Sequence, residues 1–253
     1  MDPVISALFR HPIKGFTPEK LDRARLTVGA AFPADRLFAV EDGPCGFDPT
    51  APGFIPKQKF AVLAKIAEVA KARTAFDDAT GALTATAQGL PDFIGNLGEP
   101  DAKAAFAAWL TTLLGAAADG PLRVIDGVGH RFLDHPLGHV SIINLASVRD
   151  LEQKLGRPVD PLRFRANLYV DGWPAWIENN WEGRSLSLGE ARAKVFKPIV
   201  RCAATMVDPA TAVRDIDVPA ELFEHYGHVN CGIYVHVTQG GEIAVGDKVG
   251  LDP

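Results

Sequence analysis

One cysteine lies where its thiol could do chemistry. Cys202 follows Arg201 in the segment "KPIVRCAATMVDP", residues 197–209, and is one of three cysteines in the chain. A neighbouring cation favours the thiolate, which is both the reactive nucleophile and the ligand for soft metals. A free cysteine is also commonly a small buried hydrophobe. The residue types alone favour this structural role and leave the reactive role open.

Arginines and an asparagine recur in two further segments. Arg36 follows an aspartate, and Arg163 and Arg165 precede Asn167 in "RFRAN". Because residues two apart in extended backbone share a face, Arg163 and Arg165 are predicted to point the same way, with Asn167 continuing that face. A guanidinium group offers a bidentate fork that suits phosphate or a polar heterocycle. Surface charge on an exposed strand is the alternative for any one of these arginines.

A third group contains histidines and a cysteine, which are common zinc ligands, but their spacing matches only half of a zinc site. In "HYGHVNC", His225, His228 and Cys231 follow one another at three-residue spacings, and "HPLGH", 135–139, could supply the other half of a zinc site. No second cysteine pair supports that interpretation. Cys231 also opens an apolar strand, where burial explains it, so the structural role is favoured for this group.

The composition restricts the class of protein. The 253 residues carry a net charge of −5, with 47% hydrophobic and 23% charged residues, as in a soluble globular protein. Without a long basic run there is no case for nucleic-acid binding. No signal or transit pattern is evident, and no apolar run approaches the roughly 20 residues of a membrane span. Three cysteines without a C-x-x-C pair argue against a disulfide framework, so a cytoplasmic location is expected.

The elements that must position these residues are mostly short strands. In the first ninety residues they are predicted at 4–10, 23–29, 36–42 and 81–87, while 61–72 suits either a strand or a helix. Residues 41–58, rich in proline and glycine, are predicted to form an irregular exposed loop. The clearest helix covers 100–115, with Asp101 capping its start and Gly115 its end. Its apolar stripe is Phe106, Trp109, Leu110, Leu113 and Leu114.

The second half also alternates strands with little helix. A buried strand at 140–145 leads into a short helix that begins at Ser147 and ends at Gly156. Further strands are predicted at 166–172, 185–189, 191–196 and 199–207, and residues 231–251 are predicted to form a hairpin that turns at "QGGE". The pattern predicts an α+β fold, predominantly antiparallel β, with two strand-rich barrels and a few short helices.

Taken together, these segments resemble the MOSC family, the C-terminal domain of molybdenum cofactor sulfurases, with its N-terminal β-barrel partner. The resemblance covers nearly the whole chain. It is carried by "HPIKGFTPEKLDRARLTVGAAFPADRLFAVED", "VSIINLASVRDLEQKLGRPVDPLRFRANLYVDG", "KPIVRCAATMVDPATAVRD" and "YGHVNCGIYVHVTQGGEIAVGDKV". It implies a MOSC-type β-barrel, with an N-terminal β-barrel subdomain at 1–98, a helical connector at 99–120 and the MOSC domain at 121–253.

Similarity to the amidoxime-reducing branch of this family implies a site. Its Arg-Cys cysteine, here Cys202, would ligate molybdenum. The molybdenum cofactor, Mo-molybdopterin, would be held by the matched residues Lys14, Arg36, Ser141, Asn144, Arg163, Arg165, Asn167 and Arg201, with His139 beside them. The implied reaction is reduction of the N–O bond of small N-hydroxylated compounds. Electrons would come from a separate protein of the flavin, haem or iron–sulfur type, since neither an iron–sulfur cluster nor PLP is expected in this chain.

The chain departs from the family pattern at three positions. Gly15 follows Lys14 where the family often has serine, Ala166 replaces the usual proline, and Cys231 stands where phenylalanine is commoner. Two other functions stay open beside the reductase. One is a carrier of the cofactor, or a sulfur-transfer protein that uses a persulfide on Cys202. The other is a non-catalytic β-barrel protein whose cysteine belongs only to the core.

Overall fold

The computed structural model describes residues 2–252. Its helices are α1 (Pro100–Leu114), α2 (Leu145–Leu155) and α3 (Val218–Tyr226). In chain order its strands are β1 (Val4–Arg10), β2 (Glu19–Leu21), β3 (Arg23–Leu26), β4 (Phe38–Asp42), β5 (Arg73–Phe76), β6 (Ala82–Thr86), β7 (Phe93–Asn96), β8 (Leu122–Asp126), β9 (Val140–Asn144), β10 (Leu168–Asp171), β11 (Ser185–Leu188), β12 (Ala191–Val200), β13 (Asn230–Gln239), β14 (Gly241–Ala244) and β15 (Val249–Leu251). Over these residues, no helix has both the length and the apolar character that crossing a membrane requires.

Eight of the strands form one curled sheet, in the order β15-β11-β12-β13-β9-β10-β1-β2. Neighbouring strands in this sheet are antiparallel, except for β9 and β10, which are parallel to each other. Alternation along β12 buries Ala191, Ala193 and Val195 in the core of this sheet, to which Ile5 of β1 also belongs. The predicted fold class, α+β and predominantly antiparallel β with a few short helices, is confirmed.

A second apolar core lies between α1 and the smaller sheets. The predicted helix is present, and Phe106 and Leu110 on its apolar stripe are fully buried. They pack with Phe16, Phe38 and the strands β4 to β8. Gly115 ends α1 as predicted, with φ 51°. The predicted cap Asp101 is wrong: Glu99 is the N-cap residue and makes no side-chain cap bond, so Asp101 only adds negative charge to the first turn.

The pairing of the strands differs from the sequence prediction in two places. Residues 231–251 do not form a hairpin, because β14 pairs with β3 in the register Gly241 to Leu26, while β13 pairs with β12 and β9. The predicted strand at 199–207 is also wrong in its second half. Residues 199 and 200 are the last two residues of β12, and the chain turns after Val200.

The sheets cross the subdomain boundaries that the resemblance implies. Strands β1 and β2, from the first 98 residues, lie in the sheet that is otherwise built from 140–251. In return β8, from the second half, pairs with β4. The two halves are therefore interleaved at their strands.

The starts of the later helices were also misplaced in part. Helix α2 begins at Leu145, where Oδ1 of Asn144 accepts a hydrogen bond from the Ala146 amide, so Asn144 rather than Ser147 is the cap. Gly156 ends α2 in the left-handed conformation, as expected. Helix α3 was not predicted.

Candidate functional site

Cys202 lies on a cavity of about 310 Å³. Strand β12 ends two residues before it, and Cys202 itself has extended backbone that leads into a short 3-10 turn, Ala203–Met206. The turn is tied to it, since the amide and the hydroxyl of Thr205 donate to the Cys202 carbonyl at 3.0 and 2.9 Å. The end of the strand thus leaves the thiol half-buried in the cavity wall rather than in the core.

The thiol has a partner that sequence reasoning missed. Nζ of Lys57 donates a hydrogen bond to Sγ of Cys202 at 2.9 Å. Burial opposes the charge on Lys57, but the hydrogen bond to Cys202 and its charge outweigh that effect and raise the pKa of the lysine. Lys57 belongs to the loop predicted to be irregular and exposed. No spacing or motif in the sequence connects that loop with residue 202.

Two arginines are held beside the thiol by unusual backbone. Arg36 and Arg165 have positive φ angles, 50° and 53°, which turn both residues out of regular structure. Nη2 of Arg36 donates to the Arg165 carbonyl at 3.1 Å, and its Nη1 bonds to the carboxylate of Asp35. Asp35 is fully buried and also accepts from the His11 amide at 2.6 Å. Burial opposes its ionisation, but the charge on Arg36 and the interaction with the His11 side chain, whose Nδ1 lies 3.4 Å away, lower the pKa of Asp35 to about 2.

Arg165 has a donor to spare. Its Nη1 donates to the Phe16 carbonyl at 2.6 Å, whereas its buried Nη2 has no hydrogen-bond partner among the described residues. Burial and the neighbouring charge on Arg36 lower the pKa of Arg165 to about 10. A buried unpaired N–H is costly, so an acceptor placed in the cavity would be stabilised there.

Arg163 reaches the cavity by a different route from the one predicted. The segment Pro161–Phe164 is a 3-10 turn and Arg165 is left-handed, so the argument from a shared strand face is wrong. Both arginines nevertheless line the cavity. The guanidinium of Arg163 forms ion pairs with Asp208 and Asp215, at 3.2 and 2.7 Å.

Arg201 is committed to the backbone. Its Nε donates to the Cys231 carbonyl at 2.8 Å and its Nη1 to the Phe164 carbonyl at 2.9 Å, and the guanidinium lies 5.2 Å from the centre of the Phe164 ring. These bonds join the end of β12 to β13 and to the turn before Arg165. Arg201 therefore fixes the wall of the cavity while it adds positive charge to it.

Lys14 lies at a smaller recess of about 40 Å³ that shares Cys202 with the main cavity. Its Nζ donates to Asp134 at 2.6 Å and to the Phe132 carbonyl at 3.0 Å, and burial lowers its pKa. The neighbouring Gly15 has φ +89°, and a Cβ there would lie 2.8 Å from Cγ1 of Val62. A serine at this position would clash, which accounts physically for the departure from the family pattern.

Ser141 and Asn167 line the cavity as a bonded pair, with the Ser141 hydroxyl donating to Oδ1 of Asn167 at 2.9 Å. Asn144 does not join them. It is fully buried, caps α2 and donates to the carboxylate of Glu178 at 2.8 Å. Asn144 lies outside the cavity, because it is three residues after Ser141 on β9 and side chains at that spacing point to opposite faces of a strand.

The three residues His225, His228 and Cys231 lie in different environments. Cys231 is fully buried in an apolar cluster, and burial raises the pKa of its thiol to about 12. His225 pairs with Glu221 at 3.5 Å, and the ring of His228 stacks on Tyr226. Within residues 2–252, no three His, Cys, Asp or Glu side chains are grouped as metal ligands.

The lining of the cavity is strongly cationic. One carboxylate, Asp134, faces six cations: Arg36, Lys57, Arg163, Arg165, Lys197 and Arg201. In a chain whose net charge is −5, this is a local reversal of sign. A cavity with one thiol, several guanidinium groups and an unpaired arginine N–H has the chemistry to bind an anionic ligand that also carries a soft atom, to which the thiol sulfur can bind.

Comparison with known proteins places the chain in a family. Residues 130–250 match the MOSC domain and residues 2–119 match the MOSC N-terminal beta barrel domain. The chain belongs to the MOSC family, as its sequence resemblance indicates.

Individual relatives are similar over part of their length. "Mitochondrial amidoxime reducing component 2" of Bos taurus is 32% identical over 122 residues, which are 44% of this chain and 36% of that protein. "Mitochondrial amidoxime-reducing component 1" of Homo sapiens is 30% identical over the same length and the same shares. "Molybdenum cofactor sulfurase" of Bos taurus is 32% identical over 110 residues, 38% of this chain and 12% of the relative. The matched segment thus spans about a third of the amidoxime-reducing relatives.

Proposed function

We propose that the chain binds the molybdenum cofactor in the cationic cavity, with Cys202 as a protein ligand of the metal, and reduces N-hydroxylated compounds at their N–O bond. The observation that carries the proposal is the single thiol in a lining that also holds the cations Arg36, Lys57, Arg163, Arg165 and Arg201. Relatives named for amidoxime reduction and for the molybdenum cofactor, at about 30% identity, support it.

The residues present fit such a group. Molybdopterin carries a phosphate, and the unpaired Nη2 of Arg165 is a buried donor that this anion can satisfy. Arg36 and Lys14 stand beside it, already oriented by Asp35 and Asp134. A thiolate is a soft ligand, which suits a metal whose other ligands are dithiolene sulfurs. When bound, the cofactor supplies the two-electron redox chemistry, and the protein supplies orientation and electrostatics.

The residues of the chain have separate tasks in this reaction. Reduction of an N–OH group consumes two electrons and two protons and releases water, so the cavity must deliver protons. The ring of His135 is a proton-carrying group in the wall, whereas the Lys57 ammonium, whose pKa is raised, stabilises the sulfur of Cys202. Arg201, tied to two carbonyls, keeps the preceding strand and therefore the thiol in register.

The electrons would come from a separate protein with a flavin, a haem or an iron–sulfur cluster. We propose no such cluster and no PLP within this chain, and a cytoplasmic site of action. The substrate would be a small molecule that enters the open side of the cavity.

The proposal is tested by expression in a host that makes the cofactor. Molybdenum and pterin are measured in the purified protein, and benzamidoxime is offered with an artificial reductant. We expect stoichiometric metal, turnover to benzamidine, and loss of both in Cys202→Ala. A Cys231→Ala variant is the matched control and should retain its metal. Full molybdenum with unchanged coordination in Cys202→Ala would contradict the ligand assignment.

A second function is favoured by one specific observation, the match to a molybdenum cofactor sulfurase. In this alternative Cys202 carries a persulfide and passes sulfur on, or the chain only carries the cofactor. Mass spectrometry of the purified protein, together with the benzamidoxime assay, distinguishes this alternative from the reductase. An additional sulfur atom on the peptide that contains Cys202, without turnover of benzamidoxime, would favour the carrier.

A further inference from the structure

Lys197 differs from the other cations of the cavity. Arg36, Arg163 and Arg201 are bound to protein acceptors, and Lys57 donates to Cys202. For Lys197, in contrast, no hydrogen-bond or ion-pair partner exists within residues 2–252. Its Nζ lies 5.6 Å from the centre of the Phe196 ring, and its half-buried side chain lines the cavity. It is a cation with three donors and no acceptor of its own.

The backbone around Lys197 aims this side chain. The pairing of β12 with β13 shifts register between Val195 and Lys197, so Phe196 is an inserted residue, and Lys197 then pairs with Tyr234. A bulge of this kind redirects the side chains that follow it. It places Lys197 in the same stretch of wall as the Tyr234 ring.

His135 completes this stretch of wall. Its ring lies 5.3 Å from that of Phe196 and 6.2 Å from that of Tyr234, measured between centres. Nδ1 of His135 accepts a hydrogen bond from the Leu137 amide at 3.1 Å, which leaves Nε2 to carry the proton. Gly138 lies against Tyr234 so closely that a Cβ would be 3.0 Å from the tyrosine ring. The loop 135–138 and Tyr234 thus place two aromatic rings, tilted by 35° to one another, in the same wall of the cavity as the ammonium of Lys197.

This wall does not extend into the recess where Lys14, Arg36 and Arg165 lie. The recess beside Lys14 is lined by Arg36, Arg165 and Cys202, whereas Lys197, His135 and Tyr234 line only the main cavity. The free ammonium of Lys197 is therefore a second place for negative charge, in the part of the cavity wall that the recess does not include.

We propose that Lys197, with His135 and Tyr234, forms a subsite for an anionic substituent on a planar substrate. This rests on the proposed function, and it assigns the substrate class as aromatic N-hydroxylated compounds that carry a carboxylate. The rings of His135 and Tyr234 receive the flat part of the substrate, and the Lys197 ammonium receives the carboxylate. Lys197 is thereby a specificity residue, outside the machinery that holds the metal.

The experiment compares benzamidoxime with para-carboxybenzamidoxime on the molybdenum-loaded protein. The variants are Lys197→Gln, Lys197→Arg and Lys194→Gln, the last being an exposed lysine on the same strand that does not line the cavity. We expect Lys197→Gln to raise KM for the carboxylated substrate about tenfold, the loss of one charge-assisted hydrogen bond, with kcat unchanged. KM for benzamidoxime should stay within about twofold in every variant, and Lys197→Arg should keep the preference.

A binding measurement on the same proteins does not depend on turnover. Calorimetry with para-carboxybenzamide and benzamide, which cannot be reduced at an N–O bond, should show tighter binding of the carboxylated compound in wild type and in Lys194→Gln. That difference should vanish in Lys197→Gln.

The outcomes separate the two proposals. Equal KM values for both substrates in wild type, or a preference that survives Lys197→Gln, would overturn the subsite. Loss of molybdenum and pterin from Lys197→Gln would also overturn it, because Lys197 would then serve the cofactor. A fully loaded wild type that reduces neither substrate would refute the reductase, and calorimetry alone would then decide the subsite.

Discussion

Removing the charge of Asp35 tests whether the arginine beside the thiol is held by a buried ion pair. Asp35 is fully buried, and the Arg36 side chain that it orients is 11% exposed. Removing one partner of a buried pair costs about 3–5 kcal/mol, and the residual exposure of Arg36 favours the lower end, about 3 kcal/mol. At about 2–4 °C per kcal/mol for a chain of this size, Asp35→Asn should lower Tm by about 10 °C.

The effect should depend on pH with a defined sign. The folded pKa of Asp35, about 2, lies below its ordinary value of 3.8. Its carboxylate therefore stabilises the fold fully above about pH 4, and this stabilisation is lost as the pH falls through about 2. The difference in stability between wild type and Asp35→Asn should be constant from neutral pH to about pH 5 and shrink below pH 4.

Thermal and denaturant unfolding followed by near-ultraviolet circular dichroism measures both effects, since the chain has four tryptophans. The matched control is Asp171→Asn, because the Arg149–Asp171 pair is 49% and 40% exposed and should contribute less than about 1 kcal/mol. If Asp35→Asn loses no more stability than Asp171→Asn, the ion pair does not hold the site in the way the structure indicates.

Three further outcomes follow from features of the fold. The ligand-free native protein should show two thiols that react with Ellman's reagent and a third only after unfolding, because Cys231 is fully buried with a pKa of about 12. Gly232→Ala should cost more than about 3 kcal/mol in chemical denaturation, since its φ is +76° and a Cβ would lie 2.3 Å from the Ile142 carbonyl oxygen. Gly156→Ala, with open space around it, should cost about 1 kcal/mol. Asn144→Ala should lower the free energy of unfolding by about 2 kcal/mol through the lost helix cap and the buried Glu178, yet leave molybdenum and pterin content unchanged.

The sequence predicts correctly those elements that depend only on residues close together in the chain. The apolar stripe of α1 and its closing Gly115 depend only on residues within one helix, and both are confirmed. The fold class follows in the same way from many short alternating strands. The predicted hairpin was wrong. The residues "QGGE" favour a turn, but a turn does not determine which strand pairs with β14, and that strand is β3. The pairing of residues 241 and 26 is decided by packing of the whole sheet.

The site was predictable in its residue types and less so in its geometry. The family pattern pointed to Cys202, Arg165 and Asn167, which the structure brings to one cavity. The strand argument for Arg163 and Arg165 failed, because a 3-10 turn and a left-handed residue bring them there instead. Lys57 could not be found, since its loop has no periodicity and its partner lies 145 residues away.

The interleaving of the strands has a consequence for biosynthesis. Strand β1 is hydrogen-bonded to β10, which lies more than 150 residues later, and the Ile5 amide donates to the Asp247 carbonyl at 2.9 Å. The main sheet therefore cannot close until residue 247 has been synthesised. Since Cys202 and Arg165 belong to that sheet and its loops, we expect the cavity to form only after the chain up to residue 247 has left the ribosome. A fragment made of the first half alone would lack β10 and β14, the strands that pair with β1 and β3. We expect chaperones and proteases to bind such a fragment, because it would not fold as an independent unit.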